Sequence, residues 1–418
     1  TFTLLPLILF YSIPQVGFLS SSSKTDMLGM LFLFSGFYLF FEYLEMPGSK
    51  NNLWLTGLFM GMSVGTKYIF AIYAVAFMLA VFLFTKVPFK KKMVAISLVS
   101  IMIFLCLLPW FIKNTIVSEN PVYPYLNTVF KSDFWSPEQA QNFSSILKRG
   151  VDHQILDYLK YPIELFTRPY QYGWTAVWGI LFLISLPFLF FTTRNTQIRV
   201  LIFSSLFAFL LLMQFAKVPR YFLGSLLLLS IPTALGIEKA VIHIRLVKKI
   251  FIPFLIPLLM LHLILQLDLQ EKFFKGFQYL GLKIGKKSNN PDLDYLNLIP
   301  YYRVAKFINH SLSPDHRIMI LGEDRTFYIK RPFLACSFAD KHPLIGMLRT
   351  QMAPVQIITR MHKQKITHLM YSEKGLKRLG RLSRMYHLSD TQWKKLGHLL
   401  KHLKPIYRDY RYTVYQII

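Results

Sequence analysis

The sequence predicts a mainly α, polytopic transmembrane bundle of about nine helices followed by a small α/β domain. Three observations carry that reading. Of the 418 residues 53% are hydrophobic, and the mean hydropathy is +0.38, too apolar for one soluble domain. The apolar residues fall in long blocks, at about 2–20, 27–44, 53–85, 93–112, 174–192, 198–216, 221–237 and 250–267, most of them the length of one bilayer crossing. After residue 268 these blocks stop and Lys, Arg and His become frequent.

The first block is broken from the second by Ser21-Ser22-Ser23-Lys24-Thr25-Asp26. Block 53–85 is too long for one crossing, and charge and parity resolve it. Lys86 with Lys90-Lys91-Lys92, Arg194 with Arg199, and Lys239 through Arg245 to Lys248-Lys249 make three cation-rich loops, which the positive-inside rule places in the cytoplasm. Block 53–85 must then leave and return, as a hairpin of two short helices turning at Gly65-Thr66-Lys67-Tyr68. Gly57, Gly61 and Gly65 recur at i, i+4 and i+8, a spacing of small residues that lets helices approach closely. This topology puts Asp26, Lys67, the segment 113–172, Lys217 to Arg220 and everything after 268 on the outer face. The domain boundary is expected at 268/269, with 113–172 an outer segment of the membrane domain.

In the tail, 317–321, 366–371 and 412–417 read as strands and 300–310, 354–363 and 391–403 as helices, a small domain of ordinary size. Glu323-Asp324-Arg325 reads as a solvated polar turn. Cys106 and Cys336 are too far apart to form a disulfide framework or metal cluster.

The formal charge of +27 points to anionic partners such as lipid head groups or a phosphate-bearing substrate, and membrane anchoring argues against nucleic acid. Asp26 is a carboxylate at the mouth of a membrane helix, where it must be solvated, paired or used. It can cap the helix that follows, or hold a hydroxyl acceptor or help hold a metal ion. Lys67, Lys217 and Arg220 are cations on the outer face. They can snorkel to lipid phosphates or converge on a substrate phosphate. Asn120-Pro121-Val122-Tyr123-Pro124-Tyr125 is a rigid aromatic stretch. Trp135, Tyr158, Tyr161, Tyr170, Tyr172 and Trp174 suit the membrane interface. Asp152-His153 with Asp157 does not have a diagnostic metal spacing.

Lys24-Thr25-Asp26, Gly65-Thr66-Lys67-Tyr68, Asn120-Pro121-Val122-Tyr123-Pro124 and Arg220-Tyr221, in that order, resemble motifs of the GT-C type membrane glycosyltransferases. These enzymes use polyprenyl-phosphate-linked sugars, and the likeness is to the bacterial relatives of protein O-mannosyltransferases and of the aminoarabinose transferase that modifies lipid A. It covers about residues 1–240. It implies an extracytoplasmic active site in the bacterial inner membrane and inverting transfer. The donor would be a polyprenyl-phosphate sugar and the acceptor a lipid, glycan or protein. Asp26 would be a secondary acidic position, and Lys67, Tyr68, Lys217, Arg220, Tyr221, Asn120 and Tyr123 would contact substrate. A divalent metal stays open. The main catalytic carboxylate of the family lies in a first outer loop that this sequence lacks, and the chain, which opens at Thr1 in apolar sequence, reads as an N-terminally incomplete fragment. A transporter or glycan flippase, and a non-catalytic scaffold presenting the tail, are the other readings. Absence of an internal repeat weighs against the transporter.

Overall fold

The computed structural model describes residues 4–22, 24–46, 49–147, 155–167, 179–192, 195–216, 218–244, 290–418 and seven single positions between 249 and 267. The chain divides into two compact units, Thr1–Lys131 with Leu147–Phe274, and Ser132–Ile146 with Lys275–Ile418. A stretch from the middle of the sequence, 132–146, therefore clusters with the tail.

The first unit is helical: Leu5–Tyr11 (α1), Pro14–Ser20 (α2), Asp26–Glu45 (α3), Lys50–Thr66 (α4), Phe70–Phe84 (α5), Phe89–Ser118 (α6) and Asn127–Phe130 (α7). After Pro137–Leu147 (α8), most of which belongs to the second unit, come Ile155–Thr167 (α9), Ile180–Ser185 (α10), a 3-10 turn at Leu186–Phe191, Thr196–Phe215 (α11), a 3-10 turn at Pro219–Phe222 and Leu223–His243 (α12). Among the described residues, four helical stretches are long and apolar enough to cross a membrane: Asp26–Glu45, Phe89–Ser118, Thr196–Phe215 and Pro219–His243. The protein is an integral membrane protein.

Two blocks depart from single crossings. Block 2–20 is two short helices, because Pro14 has no N–H to continue α1 and Ile13 before it is extended. The described part of 174–192 is α10 and the 3-10 turn that contains Pro187. Gly236 of α12 packs against the carbonyl of Phe188 there, an approach a side chain would block. Block 53–85 is a hairpin, α4 and α5, of 17 and 15 residues. Two of its three spaced glycines mediate close approach. A Cβ on Gly57 would lie 2.7 Å from Met102 Cβ, and one on Gly61 2.7 Å from Cys106 Sγ, so α4 seats on α6 there. Gly65 faces nothing within 4 Å, which corrects the expectation for that position: it ends the helix face where α6 no longer covers it. On the other side of α4, Ser63 Oγ donates to the Gly29 carbonyl at 2.8 Å, and Gly29 sits against Phe70 and Thr66. The start of α3 is thereby locked to the end of α4.

The second unit holds Pro291–Asn297 (α13), Pro300–Ser311 (α14), Ile318–Leu321 (β1), Phe333–Leu334 (β2), Pro343–Arg349 (α15), Pro354–Lys363 (α16), His368–Tyr371 (β3), Glu373–Leu382 (α17), Asp390–Lys401 (α18), Lys404–Arg408 (β4) and Thr413–Gln416 (β5). The sheet order is β2-β1-β3-β5-β4. The first three strands are parallel, and β5 is antiparallel to β3 and to β4. Every residue of β1 and β3 is buried, because helices cover both faces. Alternation sends Ile318, Ile320, Met370 and Val414 to a core with Val304 and Ile308 of α14. Met319, Leu321 and Leu369 face the other core, with Leu348, Ile357, Leu376 and Leu396. The α8 segment docks here through Asn142, whose side chain bonds the Ser383 hydroxyl at 3.0 Å.

Glu323 corrects the expectation of a solvated turn. It is buried, takes two bonds from the Arg325 guanidinium at 2.8 and 2.6 Å, and accepts from the Tyr412 hydroxyl at 2.5 Å. Burial alone would raise its carboxyl, but these bonds outweigh it and hold it at about 2. Gly322 before it has φ +89°, and a side chain there would strike the Ser372 carbonyl, so the β1 exit requires glycine.

Candidate functional site

Asp26 is the first residue of α3 and its side chain is 3% exposed. It does not cap the helix: no side-chain bond to the first-turn N–H groups exists at Thr25, and the carboxylate turns to cations instead. Lys67 Nζ donates to Asp26 Oδ1 at 2.7 Å, and Arg220 Nε lies 3.9 Å from the same oxygen. Forty-one residues separate the first pair. Its geometry follows from the α3–α4 lock, since Asp26 sits one turn before Gly29 and Lys67 one turn after Ser63. The side chains of Lys67 and Arg220 are 26% and 30% exposed, so the cluster is reachable at its cationic end.

Arg220 is set by a different device. Pro219 starts the 3-10 turn, and Tyr73 of α5, fully buried, donates its hydroxyl to the Tyr221 carbonyl at 2.7 Å. The Tyr73 hydroxyl oxygen in turn accepts from the Ser225 N–H at 3.1 Å. Gly224 lets the Tyr73 ring come this close, since a Cβ would lie 2.7 Å from Cζ. Tyr73 therefore positions the turn that presents Arg220 and Tyr221.

Around the pair is an aromatic wall. The Tyr221 ring carries Lys67 Nζ at 5.2 Å and the Arg220 guanidinium at 5.5 Å from its centroid. Tyr68 stands edge-on to Tyr125 at 5.9 Å and receives a bond from Asn114 at 3.3 Å. Lys67, Tyr68, Tyr125, Tyr221 and Trp110 line one cleft of about 540 Å³. A second, apolar groove of about 740 Å³ runs past Met27, Met30 and Leu31 of α3, Leu7 and Phe10 of α1, and Leu227 and Ile231 of α12. Met27 is the residue next to Asp26.

The structure thus brings Asp26, Lys67, Tyr68, Arg220 and Tyr221 together. Asn120 serves the loop: it is buried, its Nδ2 donates to the Tyr125 carbonyl at 2.8 Å and its Oδ1 accepts from the Val122 N–H at 3.0 Å. Its effect is to present Tyr125, and Tyr123 is half-buried in the same loop. Lys217, and the side chains of Asp152, His153 and Asp157, lie outside the described residues, as do those of Tyr158, Tyr170, Tyr172 and Trp174. Trp135 and Tyr161 are core residues, packed on Phe143 and Phe222. Sequence reasoning missed Tyr73 and Lys24 as site residues. Lys24 interacts with Arg220, Asp26 and Lys67, and burial followed by the Arg220 charge lowers its pKa. Among the described residues no group of three or more His, Cys, Asp or Glu side chains gathers to hold a metal. Asp26, already bonded to Lys67 and facing Arg220, does not by itself fit a divalent cation.

Residues 1–227, more than half of the chain, match the family described as a domain of unknown function, DUF8201. The chain belongs to that family. Among curated proteins none matches the sequence. The fold is similar to that of the crystal structure of ArnT from Cupriavidus metallidurans bound to undecaprenyl phosphate, with a TM-score of 0.54 and 12% identity, over 99% of this chain and 78% of that one. The fold of this DUF8201 member is thus a polytopic membrane architecture carrying a small C-terminal sheet.

Proposed function

We propose that the chain is a membrane glycosyltransferase that takes a sugar from a polyprenyl-phosphate donor and passes it to a hydroxyl of a lipid, glycan or protein acceptor. One observation carries the reading: a buried carboxylate, Asp26, held between Lys67 and Arg220 at the mouth of an aromatic cleft. Lys67 and Arg220 outweigh the one carboxylate by a positive charge, which suits a phosphate. Snorkelling cations point to lipid head groups without such a partner, whereas these are organised around a buried acid. The likeness of fold to a structure with bound undecaprenyl phosphate supports the same ligand class here.

In this reading the phosphate sits against Lys67 and Arg220, the sugar lies over Tyr68, Tyr125 and Tyr221, and the prenyl chain follows the apolar groove that begins at Met27. The acceptor oxygen bonds to the anomeric carbon as the anomeric carbon–oxygen bond to phosphate breaks. The electron pair leaves with the phosphate oxygen, whose growing charge the two cations stabilise. Asp26 orders both cations, and its Oδ2, which has no hydrogen-bond partner among the described residues, is left to accept from a substrate hydroxyl. The acceptor proton ends on the released phosphate, whose monoester oxygen carries the charge left by the broken bond. The site lies at the extracytoplasmic face of a bacterial inner membrane, with the C-terminal unit on that side. A cysteine at exposed Lys394 labelled only from the cytoplasm would reverse this orientation.

The test is sugar transfer from polyprenyl-phosphate sugars in membranes holding equal amounts of folded protein. Losing a charge-assisted contact to the leaving phosphate should lower turnover by about 10²–10³ in Arg220→Ala, and Arg220→Lys should restore only part, because a point charge replaces a planar fork. Wild-type turnover in Arg220→Ala would defeat the proposal.

A further inference from the structure

The C-terminal unit contains a cleft of its own, of about 630 Å³, within the usual volume of small-molecule sites. It lies past the carboxyl end of β3, between the start of α17, the outer face of α18 and the turn joining β4 to β5. Ligands of α/β folds bind outside the carboxyl ends of parallel strands, because loops and helix starts converge there. We propose that this cleft binds an anionic saccharide, a short glycan bearing carboxylate or phosphate. The proposal does not rest on the transfer reading, and the two can fail separately.

The lining has two chemistries. Trp393 is half-buried on α18 and Tyr410 stands 65% exposed at the tip of the β4–β5 turn, on the rim. Flat apolar rings with polar edges are the usual partners of sugar faces. The second chemistry is positive charge. Lys374, Lys377, Arg408 and Arg411 line the cleft against Glu373 and Asp409. Both acids are already engaged. Glu373 pairs with Lys377 at 2.6 Å. Asp409 Oδ1 accepts from the N–H groups of Arg411 and Tyr412, both at 2.7 Å, and its Oδ2 from the Tyr407 hydroxyl at 3.0 Å. Lys374, Arg408 and Arg411 form no ion pair among the described residues. The cleft therefore offers three cations outside any ion pair among the described residues, of which Lys374 lies 6.0 Å from the Tyr410 ring centroid, beside two rings, a combination suited to a sugar that carries negative charge.

Gly397 supports an open cleft. It lies inside α18, one turn after Trp393, and a Cβ there would meet nothing within 4 Å. Alanine would favour the helix by roughly 0.5–1 kcal/mol, so the glycine costs stability and leaves the space beside Trp393 clear. A flat lipid surface would not need that recess, which is why a saccharide is favoured over a membrane.

The experiment uses the full chain in phosphatidylcholine nanodiscs and isothermal titration calorimetry with three probes: tetragalacturonate, 6-phosphorylated maltotetraose and neutral maltotetraose. The proposal expects at least one acidic probe to bind at least tenfold more tightly than maltotetraose, and to weaken as salt rises. Arg411→Gln and Lys374→Gln should each weaken it several-fold. Gly397→Trp, which fills the recess without replacing a core residue, should abolish binding, and Trp393→Ala should reduce it at least tenfold. Equal binding of neutral and acidic chains, no binding of either acidic probe, or unchanged binding in Gly397→Trp would overturn the proposal. So would cleft-dependent binding of phosphatidylglycerol vesicles in place of the saccharides.

Discussion

Replacing Lys67 with methionine removes the ammonium 2.7 Å from Asp26 and keeps the stem. The carboxylate, 3% exposed, is then left with Arg220 Nε at 3.9 Å. Stranding a buried charge costs about 3–5 kcal/mol, and the partial exposure of Lys67 and the remaining Arg220 bring this to about 2–3 kcal/mol. Asp26→Asn leaves two cations without their acid, but each can reach solvent, so its cost is about 1–2 kcal/mol. The double variant removes both halves and should cost less than the two singles together by about 1.5–3 kcal/mol. The assay is unfolding of purified protein in detergent, followed by helix signal against denaturant, in a double-mutant cycle. Strict additivity would show that the two side chains do not interact and would remove the ion pair from this description of the site.

Four further outcomes are expected. Gly61→Val should destabilise by about 1–3 kcal/mol, since its Cβ meets Cys106, whereas Gly65→Ala should be neutral or slightly stabilising; thermal unfolding of both checks the α4–α6 seat. Tyr73→Phe should cost about 1–3 kcal/mol and weaken lipid phosphate binding by moving Arg220, while near-wild-type stability and binding would deny it a positioning role. The C-terminal unit should lose stability in acid in two windows. His342, whose pKa burial pushes down to about 4, contributes stability that is present above 6.5 and lost as pH falls from there towards 4. Glu323, at about 2, contributes stability lost below about 4.5, each group amounting to about 2–3 kcal/mol. Local unfolding of this unit by hydrogen exchange against pH tests both, and His342→Gln should shrink the upper window without touching the lower, leaving the share of His368, which burial also pushes down to about 4.

Much of this architecture is legible in the sequence because it follows from charge and period. The hairpin at 53–85 follows from parity with the basic loop at 86–92, and β1, β3 and β5 from short β-branched and aromatic runs. The interruption at Pro14 was also visible in principle, as a proline inside an apolar block. Other features depend on distant partners. β2 has two residues and no period to detect, and β4 is an edge strand containing Pro405. Glu323 looks solvated until Arg325 and Tyr412, 89 residues away, close on it. At the candidate site, the motif pointed to Asp26, Lys67 and Arg220 as separate charges on one face. It did not reveal Tyr73, because α5 is apolar all round and gives no sign of which face meets α12. Nor did it distinguish Asn120 as a loop brace, since a buried amide bonded to backbone has the same letter as one that meets substrate.

The most direct test of the account is a cryo-electron-microscopy structure of the full protein with a polyprenyl phosphate. The account predicts phosphate density within hydrogen-bond reach of Lys67 and Arg220, a prenyl chain leaving along Met27 and Leu31, and loss of the headgroup density in the Lys67→Gln/Arg220→Gln double variant. A phosphate bound elsewhere, with Lys67 and Arg220 still closed on Asp26 alone, would contradict it.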